Sequence, residues 1–349
     1  MSDDELNEAY VRMHHAGPEW GEDRLTNHGP MAVEVLVRRG HADRVPRWVD
    51  RYLPRLDDLP RATTTITDDS WPEALGDERR IAEWTDYFGR QVRERPWRDV
   101  LELWWPRLLP GILAGTTHGV IRVGHAVRAL LRSGGSVTEL AHGLALWASR
   151  FQALPGSGSP AGRLDVATAL RRVPAVNVQD GPVAARLARL AGTPGWTEAT
   201  AALRAPTTPL EARDALAQLV AAGTVQYLHH GHASPIILVH GATAPNAVLH
   251  CLPALPQDLW RPSFDAMWAT TSALTAAYAG QPAFMTRDET VDAASVFERA
   301  ADHGDEHVIK FTDTALEVWE RTGDPAALAA AAHITTLVRP PSNGKETFV

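Results

Sequence analysis

The chain has 349 residues, is 44% hydrophobic and carries a formal net charge of −8, enough apolar material for a large core and one to three domains. It has no basic block of five or more residues and so lacks the clustered positive face that phosphate binding needs; no nucleic-acid partner is expected. A single cysteine, Cys251, excludes an internal disulfide framework and fits a reducing compartment. The acidic start MSDDELNEAY does not read as a signal peptide, and no uncharged apolar run reaches the roughly 18 residues of a membrane span. The expectation is a cytoplasmic protein without a membrane partner.

In chain order, apolar residues at three- and four-residue spacing predict helices near 30–40, 77–94, 97–109, 119–133, 137–152, 208–222, 243–251, 258–279, 288–302, 306–321 and 325–336. Alternating β-branched runs are scarce. The apolar stretch SPIILVH (234–240) reads as a short strand that flows into a helical pattern. Proline and glycine fall mostly between helices, and LPGSGSPAGR (154–163) is the best candidate for an exposed loop or hinge. No fixed-period repeat signals a solenoid. The predicted fold is all-α, one helical domain over 1–338 followed by a fraying tail at 339–349.

The chemistry-bearing residues are spread along this pattern. Histidine precedes glycine in the same local setting three times, as Asn27-His28-Gly29-Pro30, Thr117-His118-Gly119-Val120 and Val239-His240-Gly241-Ala242. Each pair stands at the start of a predicted helix, with Thr26 or Asn27 placed to cap the first and Thr116 or Thr117 the second. Histidines held at helix starts can point to one centre and offer neutral imidazole ligands from distant parts of a helical chain. His125, two turns beyond His118, is a further ligand or an orienting group. The fourth element is Asp305-Glu306-His307-Val308-Ile309-Lys310, in which His307 and Lys310 share a helix face.

Of 34 basic residues only Lys310 and Lys345 are lysines. Burial lowers a lysine's pKa and exposes a nucleophilic amine. Such an amine can add carbon dioxide and ligate a metal as a carbamate, which an ammonium cannot do. A shared site built from residues 28 to 310 requires one cooperative unit and argues against two independent domains. Taken singly, each residue has an ordinary alternative. A histidine can cap a helix or sit satisfied in the core, and a lysine can lie on a solvated face. Trp84, Trp104, Trp105, Trp260 and Trp268 can simply pack the core, although twelve tryptophans hint at a flat-walled pocket. His14, His15 and His41 lie near polar ends, and His229, His230 and His232 form a cluster that need not share a centre.

At NHGPMAVEVL (27–36), WWPRLLPGILAGTTHGVIRVGHAVRAL (104–130), VHGATAP (239–245) and DEHVIKFTDTAL (305–316) the chain resembles the questin oxidase-like proteins. Residues 155–225 carry no such similarity. The family includes fungal oxidases that open the central ring of anthraquinones by a formal Baeyer–Villiger oxygen insertion. The resemblance implies a mononuclear Fe(II) centre held by histidines and a carboxylated lysine, here His28, His118, His240, His307 and Lys310, with His125 in reserve. It also implies an aromatic polyketide and dioxygen as reactants. Arg122, on the helix of His118, is a candidate for binding phenolates. No Gly-x-Gly-x-x-Gly follows a strand, so reducing equivalents would come from outside, for instance from NADPH in solution. Two other classes compete: a metal-dependent hydrolase using a carboxylated lysine, and a non-catalytic helical scaffold. The first usually occupies an α/β barrel, for which the strand–helix alternation is absent.

Overall fold

A computed structural model describes residues 2–21, 25–132, 134–154, 156–283 and 292–341. Its first helix, α1 (Ser2–Met13), leads into the antiparallel pair β1 (Glu19–Trp20) and β2 (Leu25–Thr26), then α2 (Gly29–Arg38), α3 (Val45–Tyr52) and α4 (Trp71–Ala74). Next come α5 (Ile81–Glu94), α6 (Trp97–Leu108), α7 (His118–Leu131) and α8 (Val137–Ser149). Three short helices, α9 (Val166–Arg171), α10 (Val183–Ala188) and α11 (Trp196–Ala201), precede the long α12 (Pro209–His230). The last five are α13 (His240–Cys251), α14 (Trp260–Tyr278), α15 (Ala293–His303), α16 (Glu306–Thr322) and α17 (Pro325–Leu337). With 68% helix and almost no strand, this is a single helical domain, and none of the described helices is long and apolar enough to cross a membrane.

Local chemistry starts these helices where it should. Asp305 accepts hydrogen bonds from the backbone N–H groups of His307 and Val308 at 2.8 and 3.1 Å, capping α16. Thr208 and Glu211 flank the start of α12, with Pro209 in its first turn. The central helix is α7. It is buried from Gly119 to Ala129, as expected of a helix whose apolar residues run round most of its circumference. Two glycines let it sit so deep. A Cβ at Gly119 would lie 2.7 Å from Trp147 Cα on α8, and one at Gly124 would lie 2.6 Å from Ala247 Cα on α13. Overpacking a full core costs about 1–3 kcal/mol, so even alanine at either position pushes neighbouring backbones apart.

Three apolar cores surround this axis. The first joins α5 to α8 with α9, α12, α13 and α14, the second joins α1 to α3 with α15, α16 and α17, and the third joins α12 to α14 with α16 and α17. They adjoin along α2, α7, α13 and α16, the four helices that carry the site.

Several expectations need correction. Residues 234–240 form no strand; turns there lead directly into α13, which begins at His240. An apolar run becomes a strand only with a partner strand to take its N–H and C=O groups, and here its surroundings are helices. The predicted helix at 208–222 continues to His230. The glycine-rich 154–163 segment is not a free hinge: Ala161, Gly162 and Arg163 donate backbone hydrogen bonds to carbonyls of residues 201–203. The first residues of the helix expected at 288–302 lie outside the described residues, as do 342–349 of the expected tail. Of the proposed capping residues, Asn27 accepts a hydrogen bond from the Gly29 N–H at 3.0 Å, whereas Thr117 makes no capping bond.

Candidate metal centre

Four of these helix starts converge. His28 is the residue before α2, His118 and His240 are the first residues of α7 and α13, and His307 is the second of α16. Their rings meet in sequence: His307 to His28 at 4.5 Å between centroids, His28 to His118 at 4.6 Å, His118 to His240 at 4.5 Å. One ligating atom from each of His28, His118 and His307 lies within 4.8 Å of the others. Lys310, one turn beyond His307 on α16, is buried at 3% exposure, and its charge bears on His28, His118 and His240. Histidines up to 279 positions apart in the sequence thus come together.

The strained turn Gly115-Thr116-Thr117 supports two of the rings. All three residues have positive φ, 53°, 57° and 71°, a region costly for β-branched threonine. The turn aims the Gly115 carbonyl at His118 Nδ1 and the Thr116 carbonyl at His240 Nδ1, with Thr117 Oγ1 also 2.9 Å from the latter. An Nδ1–H donated to a carbonyl fixes the tautomer and leaves the Nε2 lone pair for a ligand role. His28 is held from behind, its backbone N–H donating to the Tyr52 hydroxyl at 2.7 Å.

Buried nitrogens without a partner remain: both of His28, Nε2 of His118 and Nδ1 of His307. Such groups are costly unless something satisfies them, and neutral imidazoles in a closed group are what a divalent transition metal takes. The donor set therefore fits a metal ion. Burial, first of all, holds His28, His118 and His240 well below the ordinary imidazole range, and the charge of Lys310 and of neighbouring histidines adds to it. Burial likewise pushes Lys310 down to about 8, against the opposing pull of Glu306 and Asp305.

The depressed histidines set an acid limit. His125 and His142 belong with them, pushed down by burial to about 4 and about 3. Each is neutral when folded and protonates near its ordinary pKa of about 6.5 when unfolded. Their contribution to stability is fully present above that pH and is lost as pH falls toward the folded-state values. The metal-free protein is expected to lose stability from about pH 6.5 downward, before its carboxylates titrate. Melts followed by circular dichroism at constant Tm from pH 7 to pH 4.5 would contradict this.

Other expected residues stand elsewhere. His125 does share a helix face with His118, but seven residues of α-helix advance about 10 Å. Its Nδ1 lies 2.8 Å from Glu34 Oε2, and the ring sits within an ion network beyond the four histidines. Arg122 turns to Glu139, with Nε and Nη2 at 2.5 and 2.9 Å from its oxygens, so only the buried Nη1 is left for another partner. Trp84, Trp104, Trp105 and Trp268 are completely buried in the first core, and Trp260 is half-buried against it. His230 donates its Nδ1–H to the Gly280 carbonyl at 2.8 Å and does not join the centre.

Sequence reasoning missed the ions behind the site. Glu34 of α2, Arg128 of α7, and Asp313 and Glu317 of α16 form a buried network that ties together three helices of the site. The charged residues were visible, but their partners lie more than 90 positions apart. It also missed the left-handed turn, for which Gly115 was the only signal.

No curated protein matches this chain. A family model described as questin oxidase-like matches residues 41–314, which include three of the four converging histidines and Lys310. That span is well over half the chain, and it runs through the helices that build the centre: the protein belongs to the questin oxidase-like family.

Proposed function

We propose that this protein is a non-haem iron oxygenase that cleaves a carbon–carbon bond in an anthraquinone or related fused aromatic polyketide. His28, His118, His240 and His307, with the carbamate of Lys310, would hold a single Fe(II). The observation that carries the reading is the convergence of four helix-start histidines, with imidazole nitrogens left unpartnered and a buried lysine one turn beyond His307. Family membership supports an oxidase of polyketide pathways.

The chain's own residues would act as follows. The Gly115 and Thr116 carbonyls hold His118 and His240 in the tautomer that offers Nε2. The lowered pKa of Lys310 supplies free amine for carbon dioxide, and the carbamate contributes negative charge to a set of otherwise neutral ligands. Bound Fe(II) would supply electrons to dioxygen, which lets triplet oxygen react with a closed-shell aromatic ring. The apolar helices around the centre exclude bulk water and so protect oxidised species from side reactions. An external donor such as NADPH would keep the aromatic ring reduced. A carboxylated lysine with histidines also serves hydrolases, so metal analysis separates the readings: iron near one per chain for the oxygenase, zinc for hydrolysis.

Alanine at His28, His118, His240 or His307 is expected to abolish or severely reduce bound iron. Two or more variants that keep full occupancy and turnover would refute the ligand set. In an oxygen-electrode assay with a reduced anthraquinone, dioxygen uptake is expected to accompany ring cleavage. Cleavage at an unchanged rate under anaerobic conditions would instead establish a hydrolytic reaction.

A further inference from the structure

We infer that Glu306 is the positioning residue for His28, its carboxylate taking the Nδ1–H of that ring while Nε2 serves the metal. The inference rests on the reading of the histidines as ligands and adds to it. An oxygen stands beside the Nδ1 of every one of the four. For His118 and His240 these are the Gly115 and Thr116 carbonyls. For His307 it is Asp305 Oδ1 at 3.5 Å, and for His28 it is Glu306 Oε1 at 3.7 Å. Two histidines are backed by backbone, and two by the adjacent carboxylates Asp305 and Glu306.

Glu306 is built into place. It is 5% exposed, and Arg55 Nη2 and Nη1 approach its two oxygens at 3.3 and 3.5 Å. The Arg55 guanidinium in turn lies 5.0 Å from the ring centres of both Trp20 and Tyr52, and the Tyr52 hydroxyl accepts the His28 backbone N–H. One assembly therefore fixes the histidine's backbone and sets a charged acceptor beside its ring. At 3.7 Å the carboxylate is just beyond hydrogen-bond range, and a shift of about 1 Å brings it within range. A carboxylate behind a ligating imidazole fixes the ring and raises its basicity. Asp305 has a second task, capping α16, which makes Glu306 the cleaner position to test.

The experiment uses Glu306→Gln and Glu306→Leu beside the unaltered protein, with Co(II) as the probe. Affinity is measured by competition with a chelator, ligand geometry by the visible absorption spectrum, and folding by the Tm of the metal-free form. Glutamine keeps an acceptor without the charge and leucine keeps neither. Leucine is expected to weaken Co(II) binding by about 10–100-fold with a shifted spectrum, and glutamine to fall between it and the unaltered protein. A purely structural Glu306–Arg55 ion pair would lower Tm in both variants while leaving affinity and spectrum unchanged, and that result overturns the inference alone. Unaltered protein that takes up no Co(II) overturns the metal reading and the inference together.

Discussion

On the proposed ligand set, Lys310→Arg is expected to bind no iron and show no turnover, although arginine carries the same positive charge as the lysine ammonium. Lys310 is 3% exposed and its charge already disfavours protons on three of the converging histidines. A fixed cation there repels a metal ion as it repels a proton. The lysine escapes this because burial brings its pKa to about 8, so that about a tenth of it is free amine at pH 7. In the proposed centre the free amine would add carbon dioxide and lose a proton, turning an ammonium into an anionic oxygen ligand. Arginine keeps its proton throughout and cannot form the carbamate. Lys310→Ala is expected to be equally inactive, and short carboxylic acids in the buffer are expected to restore part of its activity by occupying the vacated ligand position. Iron content by elemental analysis and dioxygen uptake are the measurements. A Lys310→Arg protein with normal iron and normal turnover would remove the carbamate from the mechanism.

Arg128→Met is expected to cost about 3–5 kcal/mol of stability, the range for uncovering a buried charge, and to lower Tm by about 4–7 °C. Arg128 Nε lies 2.9 Å from Glu34 Oε1, and its Nη1 lies 2.9 Å from Asp313 Oδ2 and 3.1 Å from Glu317 Oε1. Arg39 Nε adds a 2.6 Å bond to Asp313, and Arg38 pairs with the same carboxylate. Glu34 and Asp313 are almost fully buried; removing the cation between them leaves Glu34 with the His125 ring at 2.8 Å in place of an ion pair, while Asp313 keeps Arg38 and Arg39. Burial pushes both carboxylates up, but Arg128 outweighs it, holding Glu34 well below its ordinary range and, with Arg38 and Arg39, Asp313 below its own. The effect should reach the site as well. Glu34 lies on α2, which His28 immediately precedes, Arg128 shares α7 with His118, and Asp313 lies one turn beyond Lys310 on α16. Loosening this network is therefore expected to reduce metal affinity together with Tm. Thermal melts within 2 °C of the unaltered protein would show that the network carries far less stability than its burial implies.

Helix-forming segments were legible because their signal is local. Apolar residues three and four apart, proline and glycine between them, and few alternating β-branched runs marked most of the helices. The His-Gly pairs at residues 28, 118 and 240 were legible as helix starts for the same reason, and Lys310 stood out as a lysine among arginines in an apolar helix. Two local inferences failed where local pattern is ambiguous. Residues 234–240 were apolar enough for a strand but had no partner strand, and 154–163 was rich in glycine yet pinned by hydrogen bonds to residues 201–203.

Helical periodicity alone determined the all-α class and the place of each histidine along its own helix, because those depend on neighbours within one or two turns. Which histidines meet was decided by packing. His118 and His125 look equivalent on a helical face, but axial rise puts one at the start of α7 and the other beside Glu34. Arg122 looked free until α8 brought Glu139 against it. The left-handed turn at 115–117 that aims two carbonyls at His118 and His240 holds two threonines in a conformation their own sequence disfavours. Its hydrogen bonds to the two histidines and the tertiary packing around it offset that cost, which no local pattern in the sequence could show.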